Sequence, residues 1–425
     1  MTIAAWIQDH VAPRIHWGLC LWFALSEGLR RAIRPSLPPA ESTSPRVLFV
    51  TTYAGTLQAF LIPHMRMLLH RGWRVEVAAR FDKGSESAQL IEAEFPVHHI
   101  PFCSRAFAPR NLLALWRLRR LIQTRRYDVI HVHTPIAAMV GRAAARMSRP
   151  RPVVLYTAHG FHFYRGASWR QWILSYPAER LAARWTDGLI VMNEEDLHYG
   201  MKMGFTQGEN LFRVHGVGVD LSFYGGATAD DGHTVRREFG LASDDILVSC
   251  IAGIRPGKNH ELLLDAWQRL ADSQVNAHLL LVGGFGASSH SVKRRLDMGR
   301  NLRIHLGGFR RDIPSVLQAT DVLVLASQRE GLPRCIMEAM AAAKPVVATS
   351  ARGNRDLIDH GCNGLLVVPE DSAGLAEALA TLIRDPGLRI KMGKRGREKI
   401  EEYSLDRVLD EMGLIYDRFR RIRRR

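Results

Sequence analysis

Residues 326–345 of this chain read ASQREGLPRCIMEAMAAAKP, and their pattern determines the fold class. A strand-type run of mostly apolar residues, DVLVL, comes directly before them at 321–325. Pro333 suits a helix start, because the N–H that it lacks has no intrahelical partner there. Apolar residues then recur at helical spacing. The stretch therefore predicts a strand, a loop that carries Glu330 and Gly331, and a helix whose first residue is Pro333.

A loop between the carboxyl end of a strand and the start of a helix is a natural anion site. The first backbone N–H groups of the helix lack acceptors, and the helix dipole places positive charge there. A phosphate is the usual ligand. Carboxylates suit a different group, since Glu330 and Glu338 can accept hydrogen bonds from sugar hydroxyls. The alternative interpretation is a pair of solvated glutamates favoured by the dipole.

The segment EGLPRCIME, in which Glu330 and Glu338 are eight positions apart, resembles the paired-glutamate motif of retaining glycosyltransferases of the GT-B type, family 4. The resemblance implies an α/β protein with two Rossmann-like, doubly wound parallel-sheet domains that face each other across a cleft. It implies that Glu330 binds hydroxyls of the transferred sugar and that Glu338 binds the ribose. The helix start at Gly331 and Leu332 would then stabilise the diphosphate.

Composition restricts the class of protein. The chain has 425 residues, which is enough for two domains of Rossmann size. Its formal net charge of +16 indicates an acidic partner, either nucleic acid, an anionic membrane or a phosphorylated small molecule. We find no nucleic-acid-binding motif and expect no such partner. Five dispersed cysteines without a Cys-x-x-Cys motif argue against a zinc site or a disulfide framework, and favour a reducing cytoplasm.

The first 45 residues are expected to form a tail outside the folded domains. Residues 17–25 are an apolar run with arginines on both sides. The run is shorter than the roughly 20 residues of a spanning helix, and it lacks a signal-peptide cleavage site. It predicts a helix in the headgroup layer of an anionic membrane, or alternatively one packed on the protein's own surface or on a second subunit. A proline-rich linker follows at 35–45.

Residues 46–219 are predicted to be the acceptor-side domain. A strand, a turn at Gly55 and a helix through His64 give a βαβ opening that lacks the Gly-x-Gly-x-x-Gly of dinucleotide-binding folds. The segment GTLQAFLIPH at 55–64 resembles the acceptor-side loop of the same transferases, which implies acceptor contacts for Gly55 and His64. Many family members carry a glycine pair here, whereas this chain has Ala54 before Gly55.

Two predicted strands of this domain end at His133 and His159. Ligands of doubly wound sheets bind just beyond the carboxyl ends of the strands. A lone histidine there is usually structural, but two on neighbouring strands favour a site. Because cysteines and carboxylates are absent nearby, phosphate or hydroxyl binding is favoured over a metal. The resemblance implies that one histidine lies beside the sugar or its phosphate, with His159 preferred and His133 second.

An arginine-dense segment at 105–126 has apolar residues at helical spacing and predicts an amphipathic helix with a cationic flank. The more frequent role of such a helix is a solvated surface, and the alternative is contact with a membrane or a lipid phosphate. Acidic residues at 194–196 lack the Asp-x-Asp pattern of metal-dependent transferases. We therefore predict neither a catalytic metal nor another cofactor, and treat the nucleotide sugar as a substrate.

Residues 220–407 are predicted to be the nucleotide-sugar-binding domain, and the resemblance implies that the helix at 408–425 returns to the first domain. A loop carries Lys258 and Arg255, cations that could neutralise a diphosphate leaving group. Lys258 fits the family pattern, but Arg255 is displaced by one position from its usual place. The resemblance also implies that main-chain groups hold the nucleotide base, at three consecutive residues: Gly308, Phe309 and Arg310.

These features and the resemblance together predict a glycosyltransferase of the EC 2.4 class, peripheral on the inner face of the cytoplasmic membrane. The resemblance implies that the enzyme retains the anomeric configuration. Residues 157–187, TAHGFHFYRGASWRQWILSYPAERLAARWTD, resemble a subgroup that builds exopolysaccharide and lipid-linked repeat units in bacteria. The resemblance implies a UDP-sugar donor and a glycan acceptor carried on a lipid phosphate. A sugar-nucleotide epimerase of the same fold and a nucleotide-sugar-binding scaffold without turnover are the alternatives.

Overall fold

A computed structural model describes residues 44–424, except residues 83, 273–276, 287–288 and 299–302. The amino-terminal tail and its expected membrane contact lie outside the described residues, apart from the last two residues of the tail. The described chain groups into two compact units. The first contains the described residues up to Ile190, Tyr199–Phe212 and the residues from Tyr416 onward, and the second contains Val191–His198 and Arg213–Ile415. The domain limits expected at residues 45, 219 and 407 stay predictions.

Seven strands form the first sheet, in the order β3-β2-β1-β4-β5-β6-β7. They are β1 (Arg46–Tyr53), β2 (Arg74–Arg80), β3 (Val97–His99), β4 (Val129–His133), β5 (Val153–Ala158), β6 (Gly188–Val191) and β7 (Leu211–Arg213). The pairs from β3 through β5 are parallel. The six interior residues of β1 are buried, as expected for a central strand covered on both faces.

The helices that accompany this sheet follow the alternation expected of a doubly wound fold. They are α1 (Ala54–Phe60), α2 (Ile62–His70), α3 (Glu86–Glu94), α4 (Arg110–Arg125), α5 (Pro135–Arg146), α6 (Trp169–Ala183) and α7 (Glu194–Lys202). Gly55 was expected in the turn before the first helix, and it lies instead within the first turn of α1. The helix begins at Ala54, and Tyr53, in extended conformation, is its N-cap.

Six strands form the second sheet, in the order β10-β9-β8-β11-β12-β13, and all adjacent pairs are parallel. They are β8 (Ile246–Ile251), β9 (Ala277–Val282), β10 (Ile304–Gly308), β11 (Val322–Leu325), β12 (Val346–Thr349) and β13 (Gly364–Val367). The strand predicted before the EGLPRCIME segment is β11. Its four residues are all buried, because it lies at the centre of the sheet between β8 and β12.

The helices of the second unit complete its layers. They are α8 (Leu221–Gly225), α9 (Ala229–Glu238), α10 (His260–Asp272), α11 (His290–Met298), α12 (Ile313–Ala319), α13 (Arg334–Ala341), α14 (Arg352–Leu357), α15 (Ser372–Arg384), α16 (Pro386–Lys399) and α17 (Leu405–Arg424), with short 3-10 turns at Pro256–Lys258 and Ile400–Tyr403. The residues of α17 from Tyr416 onward group with the first unit. Two doubly wound parallel sheets confirm the predicted fold class.

None of the helices described in this structure combines the length and apolar character that a bilayer-spanning helix requires.

Candidate functional site

The acidic loop, residues 326–333, connects the carboxyl end of β11 to α13. Pro333 is the N-cap of α13 and Arg334 is its first residue, one position later than the sequence predicts. The apolar side of α13 is packed into the core, where Ile336 and Met340 are fully buried. This packing holds the first turn of the helix, and therefore the loop before it, at the strand end where doubly wound sheets bind ligands.

The acidic loop is joined to the cationic loop that follows β8. The amide of Gln328 donates a hydrogen bond to the carbonyl of Gly257, at 3.2 Å. Beside it, Lys258 Nζ lies 2.5 Å from Glu330 Oε1, and both side chains are largely buried, with 16% and 11% of their surface exposed. The two residues predicted to hold the diphosphate and the sugar are therefore neighbours that neutralise each other.

Arg255 is exposed on the same cationic loop. The preceding residue, Ile254, is 1% exposed and belongs to the hydrophobic core. A side chain at position 254 therefore points away from solvent, which explains why an apolar residue is accommodated there. Any cation that this loop offers besides Lys258 has to come from Arg255.

Glu338 is also buried, with 7% of the residue exposed, and its Oε1 atom has two partners. The Tyr224 hydroxyl donates to Oε1 at 2.7 Å, and Arg334 Nε lies 2.8 Å from the same atom. Burial raises the pKa of Glu338, while Arg334 and the Tyr224 hydrogen bond oppose that rise. Because these contacts are made by Oε1, Oε2 is the atom that a ribose hydroxyl could approach.

The predicted base-binding turn follows β10. Gly308 has a φ of +61°, a left-handed conformation that favours glycine, and nothing lies within 4 Å of a Cβ added there. Phe309 is 77% exposed. The Arg310 side chain forms ion pairs with Glu238 at 2.7 Å and Asp312 at 2.5 Å. Because its guanidinium is already paired, only the main chain of Arg310 is suited to the predicted contact with a base.

The predicted histidines lie together in the first unit. His133 Nδ1 and His159 Nε2 are 3.2 Å apart. His131 is enclosed between the Tyr416 hydroxyl, 2.5 Å from Nδ1, and the Thr157 hydroxyl, 2.7 Å from Nε2. With both ring nitrogens engaged, His131 has a structural role. Among the described residues, the buried Nε2 atom of His133 has no hydrogen-bond partner.

Burial keeps this histidine group uncharged at neutral pH. It holds the pKa of His131 and of His133 well below the ordinary value and lowers that of His159 to about 4. The charge that His64 would carry acts in the same direction on all three. His64 itself is 5% exposed on α2. Neutral imidazoles can accept as well as donate hydrogen bonds, which suits hydroxyl or phosphate recognition.

Two residues of these arrangements were missed by sequence reasoning. Tyr224, on the short helix α8, reaches Glu338, and Tyr416, on the last helix, reaches His131. Neither tyrosine belongs to a recognisable sequence motif, and its sequence position alone indicates an ordinary core residue. Within the described parts of the chain, no group of three or more His, Cys, Asp or Glu residues is arranged to hold a metal ion.

Comparison with known proteins identifies the family. The profile of Glycosyl transferases group 1 matches residues 232–399, and that of Glycosyltransferase Family 4 matches residues 64–222. EpsD of Bacillus subtilis, a protein named as a glycosyltransferase, is 34% identical over 377 residues, covering 88% of this chain and 97% of EpsD. The chain belongs to the family 4 glycosyltransferases. The predicted enzyme class, a glycosyltransferase of EC 2.4, is confirmed.

Two further relatives of this glycosyltransferase extend the comparison. The UDP-Gal:α-D-GlcNAc-diphosphoundecaprenol α-1,3-galactosyltransferase of Escherichia coli is 28% identical over 301 residues, covering 70% of this chain and 77% of that protein. The crystal structure of Anabaena HepE in complex with UDP and glucose matches with a TM-score of 0.71 at 21% identity, covering 87% of this chain and 99% of HepE. The structural match confirms the GT-B fold.

Proposed function

We propose that this glycosyltransferase transfers a sugar from a UDP-sugar, with retention of anomeric configuration, to a glycan carried on a lipid phosphate, in the synthesis of a cell-surface polysaccharide. The choice of UDP is supported by the UDP-Gal donor in the name of the E. coli relative and by the UDP in the HepE crystal. The choice of acceptor is supported by the diphosphoundecaprenol in the same E. coli name.

The observation that carries the proposal is the ion pair between Lys258 and Glu330 of the acidic loop. Glu330 accepts hydrogen bonds from hydroxyls of the transferred sugar, and Lys258 neutralises the phosphate beside it. Negative charge develops on the diphosphate as the sugar leaves, so a cation already in position lowers the barrier. Arg255, exposed on the same loop, supplies a second positive charge.

The remaining donor contacts follow from the order of groups along a nucleotide sugar. Glu338 Oε2 accepts from the ribose, and main-chain groups at 308–310 hold the base. The amides of Gly331 and Leu332 face the phosphate next to the sugar. The described residues provide no acceptor for either amide N–H, so both are available to an anion.

The histidine group supports a role for His159 and His133 beside the sugar or its phosphate. Both are neutral at physiological pH, so each can donate or accept without adding charge. On the acceptor side, Gly55 is exposed and has open space around it, with only the Ser87 hydroxyl near an added Cβ, at 3.8 Å. His64 is 5% exposed and acts, in this proposal, through its neighbours.

A peripheral position on the inner face of the cytoplasmic membrane is part of the proposal. Helix α4 has three exposed apolar side chains, Leu112, Leu113 and Trp116, with between 43% and 46% of each residue exposed. Arg120 lies over the Trp116 ring at 5.8 Å. A surface that combines tryptophan, leucine and arginine suits the headgroup region of anionic lipids.

The test is release of UDP from a panel of UDP-sugars, with and without undecaprenol-diphosphate-linked glycans from bacterial membranes. The proposal expects UDP release that depends on the acceptor, and NMR of the product should show the anomeric configuration of the donor. Interconversion of free UDP-sugars without an acceptor would indicate an epimerase, and tight binding without any turnover would indicate a scaffold. Either result would contradict the proposed reaction.

A further inference from the structure

A buried polar network in the second unit underlies the acidic loop. It consists of Asn193, Asp196 and Arg352, which are 0%, 0% and 3% exposed, respectively. Arg352 Nη1 lies 2.6 Å from Asp196 Oδ1. Asn193 Nδ2 donates to Asp196 Oδ2 at 2.9 Å, and the Asp196 amide donates back to Asn193 Oδ1 at 2.8 Å. Each member is thus held by the others in one orientation.

The network is bonded to two consecutive carbonyl groups of the acidic loop. Arg352 Nε donates to the Glu330 carbonyl at 3.1 Å, and Asn193 Nδ2 donates to the Gly331 carbonyl at 3.0 Å. The backbone of α14 packs directly against them, since a Cβ added to Gly353 would lie 2.2 Å from the Gly331 carbonyl oxygen. The loop therefore cannot turn these carbonyls outward without breaking bonds in a buried, charged site.

Holding the carbonyls also sets the direction of two amides. In a planar trans peptide the carbonyl and the N–H of the next residue point in opposite directions. With the carbonyls of Glu330 and Gly331 directed into the network, the N–H groups of Gly331 and Leu332 are directed away from it. They are the same two amides that have no acceptor among the described residues.

We propose that Asn193 and Arg352, held by Asp196, are positioning residues that aim the Gly331 and Leu332 amides at the sugar-linked phosphate of the donor. The inference rests on the proposed function. Glu330 is assigned to the sugar and Glu338 to the ribose, so the amides that follow Glu330 directly are next to the phosphate that carries the sugar. None of the three network residues touches the substrate, and their effect is transmitted through the peptide planes of the loop.

The proposed role predicts different effects on nucleotides that have this phosphate and on nucleotides that lack it. UMP contains the base, the ribose and the first phosphate, whereas UDP adds the second, to which the sugar is attached in the donor. A change in the aim of the Gly331 and Leu332 amides should therefore alter the affinity for UDP and leave that for UMP unchanged.

The test compares UDP and UMP binding by calorimetry in the full-length protein and in Asn193→Ala, which removes the donor to the Gly331 carbonyl and leaves the Arg352–Asp196 pair. We expect UDP to bind about five- to tenfold more weakly, the effect of one lost hydrogen bond, and UMP to bind as in the parent. The kcat should fall by about tenfold or more, since charge on this phosphate increases as the sugar leaves, while the KM for the acceptor is unchanged.

Arg355→Gln is the matched control. Arg355 Nη2 donates to Glu195 Oε2 at 2.8 Å and so contacts the same segment as Asn193, but its other described bond is to the Ser350 carbonyl, outside the acidic loop. This variant should match the parent in all four measurements. If Asn193→Ala does not fold, Arg352→Lys provides a second route, because it keeps a cation for Asp196 while losing the bond to the Glu330 carbonyl.

Equal weakening of UDP and UMP, or no change in either, would overturn the positioning role. If the parent binds neither nucleotide, the proposed UDP donor is wrong. The same comparison is then made with the nucleoside diphosphate and monophosphate of the base that does bind, and the same pattern is required of them.

Discussion

Lys258 and Glu330 lie on different loops, 72 positions apart in the chain, yet their side chains form an ion pair with Nζ 2.5 Å from Oε1. The pair joins the residue assigned to the diphosphate to the residue assigned to the sugar. A bound donor would therefore be recognised by two groups that already balance each other's charge, and each group should control the affinity for a different part of the donor.

Glu330→Gln and Lys258→Met should change nucleotide binding in opposite directions. Removing the Glu330 charge frees Lys258 for phosphate, so UDP should bind up to about fivefold more tightly, the range of a modest ion pair. Removing Lys258 should weaken UDP binding and lower kcat by about 100-fold, as for loss of a group that stabilises developing negative charge. Calorimetry and UDP-release assays measure both effects.

In the same experiment Glu330→Gln should lower kcat by about 10- to 100-fold, because a charged acceptor for the sugar hydroxyls is lost. Glu377→Gln, at an exposed position on α15, is the control and should behave as the parent. Parental transfer rates in Glu330→Gln would contradict the placement of the sugar.

Tyr224→Phe should move the pH dependence of UDP binding. The tyrosine hydroxyl hydrogen-bonds to the buried Glu338 carboxylate and opposes the rise in its pKa that burial causes. Without this bond the pKa of Glu338 rises further, so the carboxylate is protonated at higher pH and ceases to accept from the ribose. UDP dissociation constants should be measured between about pH 5 and pH 8. As the pH falls, the variant should lose affinity for UDP at a higher pH than the parent does.

A pH profile of Tyr224→Phe that coincides with that of the parent would argue against a role for Glu338 in nucleotide binding. Phe223→Leu, at the exposed neighbouring position, controls for disturbance of α8 and should leave the profile in place.

His159→Gln should reduce the loss of stability at acid pH. The pKa of His159 is lowered by burial to about 4, so between the ordinary value of 6.5 and about 4 the unfolded chain binds a proton that the folded chain does not. Folding is thus favoured above pH 6.5 and loses about 1.4 kcal/mol per pH unit for each such histidine as the pH falls. Thermal unfolding measured across this range should show a shallower decline in the variant.

The corresponding control is His70→Gln, on the exposed end of α2. It should retain the parental decline. An unchanged slope in His159→Gln would show that His159 is protonated in the folded protein.

Tyr416→Phe should destabilise the protein by about 1–3 kcal/mol, because it leaves the buried Nδ1 atom of His131 without its partner. For a domain of this size that corresponds to a fall in Tm of several degrees. Tyr176→Phe keeps the ring contact with Phe163 and is the matched control. A Tm equal to that of the parent in Tyr416→Phe would mean that the hydrogen bond to His131 makes no net contribution.

The positions of several residues of the candidate site could be predicted, because they depend on short segments of sequence. The position of Glu330, Gly331 and Leu332 at a strand end follows from the strand–loop–helix pattern alone. At position 254 the sequence shows only that the arginine is displaced to Arg255, whereas packing shows that Ile254 is in the core. Likewise, the sequence indicates Arg310 near the base, whereas the structure shows its side chain in ion pairs with Glu238 and Asp312.

The sequence by itself predicted the strands, the helices and the acidic loop, because apolar periodicity and turn residues are local properties of the chain. The two doubly wound sheets and the family followed from the resemblance that the spacing of the EGLPRCIME motif carries. Only the tertiary structure decided which side chains hold that loop and its neighbours in place. Tyr224 meets Glu338 across 114 positions, Asn193 meets Gly331 across 138, and Tyr416 meets His131 across 285. Such contacts leave no local pattern, since they depend on how distant elements pack once the sheets have formed.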